Sequence, residues 1–142
     1  MAAKANSQMI NKHVLENDLD LRQLSRSIIF TKGNLFVLSP SAQNEYNWFD
    51  LRRPNLERYQ EKPYRGFLLV RFFDKLLVTE LEPFVREMMP DDKFVFTKTI
   101  GPHWKFRIVV KGNNYSIYNQ QNSKKLYPIR ECSVQELKIL IR

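Results

Sequence analysis

From Trp104 to Lys111 the chain alternates. Trp104, Phe106, Ile108 and Val110 fall on one side of an extended strand, and Lys105, Arg107, Val109 and Lys111 on the other. Asn114 to Asn119 alternates likewise, and Lys111-Gly112-Asn113 between them has the chemistry of a tight turn. If Gly112-Asn113 is a two-residue turn, the register is fixed. Val110 then opposes Tyr115 and Ile108 opposes Ile117 on the apolar face. On the opposite face Lys111 meets Asn114, Val109 meets Ser116 and Arg107 meets Tyr118. A turn of the same composition, Lys32-Gly33-Asn34, joins Ile28–Thr31 to Leu35–Leu38.

Other segments carry other periods. Phe67 to Phe73 and Leu76 to Leu81 are strongly apolar around Asp74-Lys75, the mark of a hairpin buried on both faces. Trp48 to Leu51, Phe94 to Phe96 and Leu126 to Ile129 read as short strands. Residues 7–26 read as helical: Met9, Ile10, His13 and Val14 share a stripe, and Asp18 or Asp20 caps a second short helix bearing Leu21 and Leu24. Arg52 to Lys62 is one helical turn or an ordered loop. Glu82 to Met89 is a short helix with Pro83 in its first turn. Ser133, with Glu136 three residues on, opens a C-terminal helix whose Val134, Leu137, Leu140 and Ile141 face inward.

Tight turns rather than helical crossovers join these strands, and closure removes exposed edges. The expectation is a mainly β (α+β) fold, a curved antiparallel sheet or pseudobarrel of about seven to nine strands flanked by short helices. A helical segment at 1–26 packs on a single β-rich domain at 27–142. A chain of 142 residues with 43% apolar positions suits one core. The single cysteine, Cys132, forms no internal disulfide and no zinc site, which points to a reducing, cytoplasmic setting. The apolar runs are too short to cross a bilayer and the N-terminus lacks the apolar stretch of a signal peptide, so no membrane partner is expected.

Charge sharpens the reading. From Lys93 to Arg130 there is no acidic residue, while Lys93, Lys98, Lys105, Arg107, Lys111, Lys124, Lys125 and Arg130 are basic. The net charge is +8, so this window holds the whole excess and the rest of the chain balances at 15 against 15. A one-signed field on a small protein most often meets a polyanion, and double-stranded DNA is the expected partner. The polar face of the Trp104–Asn119 hairpin offers Lys105, Arg107 and Lys111 to phosphates, with Asn113, Asn114 and Tyr118 beside them for bases. Lys98, Lys124 and Lys125 extend it. A second basic cluster holds Arg52, Arg53, Arg58, Lys62, Tyr64 and Arg65, with Glu57 and Glu61 available as local partners. Arg71, inside an apolar strand, is expected to meet an internal carboxylate such as Asp74 or Glu80. If the partner were instead a single strand or RNA, Tyr59, Tyr64, Tyr115 or Tyr118 would serve as stacking platforms.

Catalysis finds little support. Pro90-Asp91 begins a restriction-type metal motif, but no acid follows Asp92 until Glu131, and Glu131-Cys132-Ser133 lacks the lysine. Glu136-Leu137-Lys138 fits the second half but lies too far away, on a helix. His13 and His103 leave room for a small metal-free nuclease or toxin. No phosphate loop, nucleophile elbow or dinucleotide fingerprint occurs, and no cofactor or metal is expected.

Three segments, Tyr64 to Phe73, the helix near Glu82 to Met89, and Trp104 to Asn113, together resemble the DNA-binding pseudobarrel domain. That domain is shared by plant transcription factors and by the recognition or effector domains of restriction endonucleases of the EcoRII type. The resemblance covers residues 27–142. It implies a curved barrel whose two arms, near Asn47 to Arg65 and near Lys98 to Tyr118, grip the major groove. It also implies a non-catalytic recognition module, with the cutting domain attached elsewhere or separate.

Overall fold

The computed structural model describes residues 13–42 and 45–142; Met9 and Ile10 of the expected stripe lie outside them. Among the described residues ten strands form one open, curved sheet: β1 (Arg22–Gln23), β2 (Ile29–Lys32), β3 (Leu35–Leu38), β4 (Trp48–Arg52), β5 (Arg65–Phe72), β6 (Lys75–Glu80), β7 (Val95–Thr97), β8 (Gly101–Lys111), β9 (Asn114–Asn119) and β10 (Asn122–Cys132). Three α-helices accompany them: α1 (Arg53–Tyr59), α2 (Leu81–Met88) and α3 (Val134–Leu140). The strand order is β1-β2-β3-β5-β6-β10-β9-β8-β4, with β7 also on β8.

The neighbours are antiparallel except β3 and β5, which run parallel with Leu35 opposite Arg65 and Leu38 opposite Leu68. The crossover between them contains β4 and α1. Strand β4 does not stay beside β3 or β5; it pairs with β8 at the far end of the sheet. Strand β10 joins the halves, its Tyr127–Ile129 pairing with β9 and its Arg130–Cys132 with β6.

Alternation along the strands feeds two cores. Inside the curve Phe36, Leu38, Leu68, Val70, Phe72 and Leu77 meet Phe49, Leu51, Trp104, Phe106, Ile108 and Ile117 from the other half. Helix α2 plugs this interior: Phe84, fully buried, packs near Phe106 at 5.1 Å and Tyr127 at 5.3 Å. On the outer face of the first half, Phe30, Leu35, Val37, Phe67, Leu69, Leu76 and Val78 lie under Leu15, Leu19 and Leu21 on one side and Leu137 and Ile141 of the C-terminal segment on the other. This is the two-faced burial expected of β5 and β6. Gly66 lets β5 pass close to α1, since a Cβ there would stand 2.6 Å from the Tyr59 ring.

The two Lys-Gly-Asn turns behave alike. Gly112 (φ +59°) and Gly33 (φ +61°) each take the first position of a two-residue loop, closing Lys111 on Asn114 and Lys32 on Leu35. The expected register of the β8–β9 hairpin holds pair for pair. Val110, on its apolar side, is nonetheless 45% exposed, because the sheet ends there. The capping box forms: Glu136 N donates to Ser133 Oγ at 3.1 Å, and Ser133 N to the Glu136 carboxylate at 3.0 Å.

Other expectations need correction. The described part of the N-terminal segment holds one π-helical turn, Val14–Asp18, closed by Leu19 N donating to Val14 O at 3.1 Å. Between Leu19 and Ile28 no second helix forms. Arg22 and Gln23 pair with Thr31 and Phe30, because the edge of β2 offers backbone partners that two apolar residues on a short helix do not outweigh. Asp20 takes φ +58° and pairs with Lys32 at 3.3 Å instead of capping a helix. Strand β10 runs well beyond Leu126–Ile129, because it serves two neighbours. Residues 53–59 form a true helix, α1.

Candidate nucleic-acid interface

Among the described residues, the outer face of β4, β8 and β9 from Asp50 and Lys105 to the hairpin tip has no apolar layer comparable to α3 and the N-terminal segment, whereas at its other end His103, opposite Arg52, is buried. Phe49, Leu51, Trp104, Phe106, Ile108, Tyr115 and Ile117 all point inward. Their neighbours along the strands point out: Trp48, Asp50 and Arg52 on β4, Lys105, Arg107, Val109 and Lys111 on β8, and Asn114, Ser116 and Tyr118 on β9. Four cations and one carboxylate thus share this stretch of sheet.

At its centre one rung crosses three strands, with Trp48 opposite Arg107 and Arg107 opposite Tyr118. The Arg107 guanidinium lies 5.4 Å from the Trp48 ring centre, and Trp48 meets Tyr118 edge-on at 6.1 Å. Arg107 Nε donates to the Tyr46 carbonyl at 2.9 Å, and Nη1 makes a longer contact with the Tyr118 hydroxyl at 3.4 Å. Lys105 also approaches Trp48, its Nζ 5.7 Å from the ring centre. The same Nζ stands 3.9 Å from Asp50 Oδ1, an ion-pair distance too long for a hydrogen bond, and among the described residues that buried oxygen has no hydrogen-bond donor. The pair is about a third exposed, so it contributes no more than about 1 kcal/mol.

The remaining basic residues are distributed. Lys111, Asn113 and Asn114 form the hairpin tip at one end of this face, and Arg52 ends β4 on the same face. Arg53 does not join them: its guanidinium sits 5.1 Å from both the Phe94 and Trp104 rings and 3.7 Å from Asp91. Arg58 pairs with Glu61 on its own segment at 3.6 Å. Lys62 lies over Tyr64, whose ring packs on Phe36. Arg65 donates to the carbonyls of Leu140 and Arg142 and so fixes the end of α3. Lys98 lies in the turn before β8. Lys125 pairs with Glu87 of α2 at 3.8 Å, and Lys124 is exposed beside it. The segments expected as two arms are not separate projections, because β4 of the first is zipped to β8 of the second.

Arg71 meets no internal carboxylate. Its guanidinium donates to the Ser39 carbonyl at 3.0 Å, Asp74 pairs with Lys75, and burial holds the Arg71 pKa below its ordinary value. Tyr59 donates to Glu82 at 2.8 Å, and burial followed by that carboxylate pushes its pKa up. Burial likewise pushes the Cys132 thiol up, in keeping with a packing role. His103 is 2% exposed, with Nδ1 2.9 Å from the Gly101 carbonyl. Among the described residues no three acidic, histidine or cysteine side chains gather as metal ligands would, and no helix is long and apolar enough to cross a membrane.

Trp48, Asp50 and the Tyr46 carbonyl belong to this face and were not foreseen. The alternation in Trp48-Phe49-Asp50-Leu51 already puts Trp48 and Asp50 on the polar side of a strand. What the sequence lacks is a signal that this strand pairs with β8. No protein-family model matches the chain, nor does any curated protein or solved structure.

Proposed function

We propose that this chain is a non-catalytic domain that binds double-stranded DNA in a sequence-specific way, through the outer face of β4, β8 and β9. The observation that carries the reading is the placement of Arg52, Lys105, Arg107 and Lys111 on a sheet face that, among the described residues, has no apolar cover over its Lys105–Lys111 stretch and one carboxylate, Asp50, which is paired with Lys105. Cations there meet phosphates, and Asn113, Asn114 and the Arg107 guanidinium are left for base edges. A recognition or effector module of a restriction endonuclease, with cutting performed by another domain or chain, fits both this face and the pseudobarrel resemblance.

The tyrosines expected as stacking platforms favour a duplex over a single strand. Tyr59 and Tyr115 are buried, and Tyr64 is packed on Phe36 under Lys62. Trp48 already carries Arg107 and Lys105, and Tyr118 stands edge-on to it. A single strand needs open ring faces on which successive bases stack. A duplex needs fixed cations at a shallow surface.

The test is binding to a pool of random duplexes across a salt series, with single strands as competitor. Affinity is expected to fall steeply, with a log–log slope of roughly −0.9 for each phosphate neutralised. Absent or salt-independent binding rejects the proposal, and preferential competition by single strands reassigns the partner.

A further inference from the structure

We infer that Arg107 is the residue that reads sequence, and that it reads a guanine; the inference rests on the duplex-binding reading above. Among the outward cations of this face it is held on three sides. Nε is fixed on the Tyr46 carbonyl, Nη1 reaches the Tyr118 hydroxyl, and the guanidinium rests by the Trp48 ring. An arginine has five N–H donors, so two are engaged and three remain. The strands that hold it are well anchored, since Phe106 and Ile108, its neighbours along β8, are buried in the interior core.

An arginine that only neutralises phosphate gains little from being held, because a phosphate is met from many directions. A base edge is different. The guanine O6 and N7 acceptors lie in one plane and suit the paired donors of a guanidinium, and a fork already in place loses little freedom on binding. Lys105 and Lys111 contrast with it. Among the described residues Lys105 is tied to Asp50 and the Trp48 ring, and Lys111 is exposed at the hairpin tip. They are point charges on flexible stems and suit phosphates. This one face therefore divides its labour: lysines for affinity, Arg107 for identity, with Tyr46, Trp48 and Tyr118 as positioning residues.

The experiment is a selection from a randomised duplex library at moderate salt, run in parallel on the native chain, Arg107→Gln, Lys105→Gln and Tyr118→Phe. Arg107→Gln and Lys105→Gln remove the same charge. The native chain is expected to enrich sites with a guanine at one position. Arg107→Gln should lose that preference by roughly 5- to 150-fold while the other positions persist. Lys105→Gln should weaken all sites alike and keep the motif. Tyr118→Phe leaves the charge in place, and should lose part of the guanine preference while the preferences at the other positions persist. If Arg107→Gln behaves as Lys105→Gln does, or if the native chain binds duplex without any guanine dependence, the inference is overturned and the duplex-binding reading stands. If the native chain binds no duplex, both fall.

Discussion

The two halves of this sheet treat their outer faces in opposite ways. In β2, β3, β5 and β6 that face is core, roofed by Leu15, Leu19 and Leu21 and by Leu137 and Ile141. In β4, β8 and β9 the corresponding positions hold Trp48, Arg107, Tyr118 and Lys105, with no such roof among the described residues. The inner faces are alike and share one interior. The difference therefore lies in what each half was given to stand opposite: continuous apolar runs such as Phe67-Leu68-Leu69-Val70 demand cover on both sides, and alternating runs such as Trp104 to Ile108 demand it on one. On the proposed reading, stability and recognition are assigned to different stretches of a single sheet.

Matched truncations break or sharpen this contrast. Leu69, almost wholly buried in the outer core, should cost about 2–5 kcal/mol on Leu69→Ala, read as a shift in urea-induced unfolding. Val109, on the open face, should cost less than about 1 kcal/mol on Val109→Ala. Equal costs would mean that the second half is covered after all. A smaller effect on folding and a larger one on binding is expected of Lys105→Ala combined with Lys111→Ala. The salt slope for duplex binding should become shallower by roughly 0.9 for each phosphate no longer neutralised, with unfolding shifted by no more than about 1 kcal/mol. The smallest expected effect is that of Asp50→Asn. Removing the Asp50 charge should tighten duplex binding roughly two- to fivefold and leave stability within about 1 kcal/mol. Weaker binding by that variant would show that Asp50 positions Lys105 rather than merely offsetting it.

Much of this was legible in the residues. Gly112-Asn113 fixed the β8–β9 register, so Arg107 beside Tyr118 and Val109 beside Ser116 could be read directly. The apolar density of β5 and β6 announced a hairpin buried on both faces, and Ser133 with Glu136 announced α3. What resisted reading depends on distant partners. Nothing local in Trp48 to Arg52 names β8 as its neighbour, and Tyr46 reaches Arg107 across 61 residues of chain. The parallel β3–β5 pair was hidden for the same reason. The second basic cluster looked like a surface because charge in sequence does not say which way a side chain turns: Arg53 lies against Trp104, Arg65 clamps α3, and Arg52 alone of that cluster lies on the outer face of β4.

The long excursion between β3 and β5 has a consequence for how the molecule is made. Strand β4 leaves the ribosome early, yet its hydrogen-bonding neighbour β8 emerges only after β5, β6, α2 and β7 have all been synthesised. Pairings so far apart in sequence form slowly. Until Lys105, Arg107 and Tyr118 are outside the exit tunnel, Trp48 lacks the neighbours it has on this face, so translation itself sets the moment at which the proposed recognition surface comes into being.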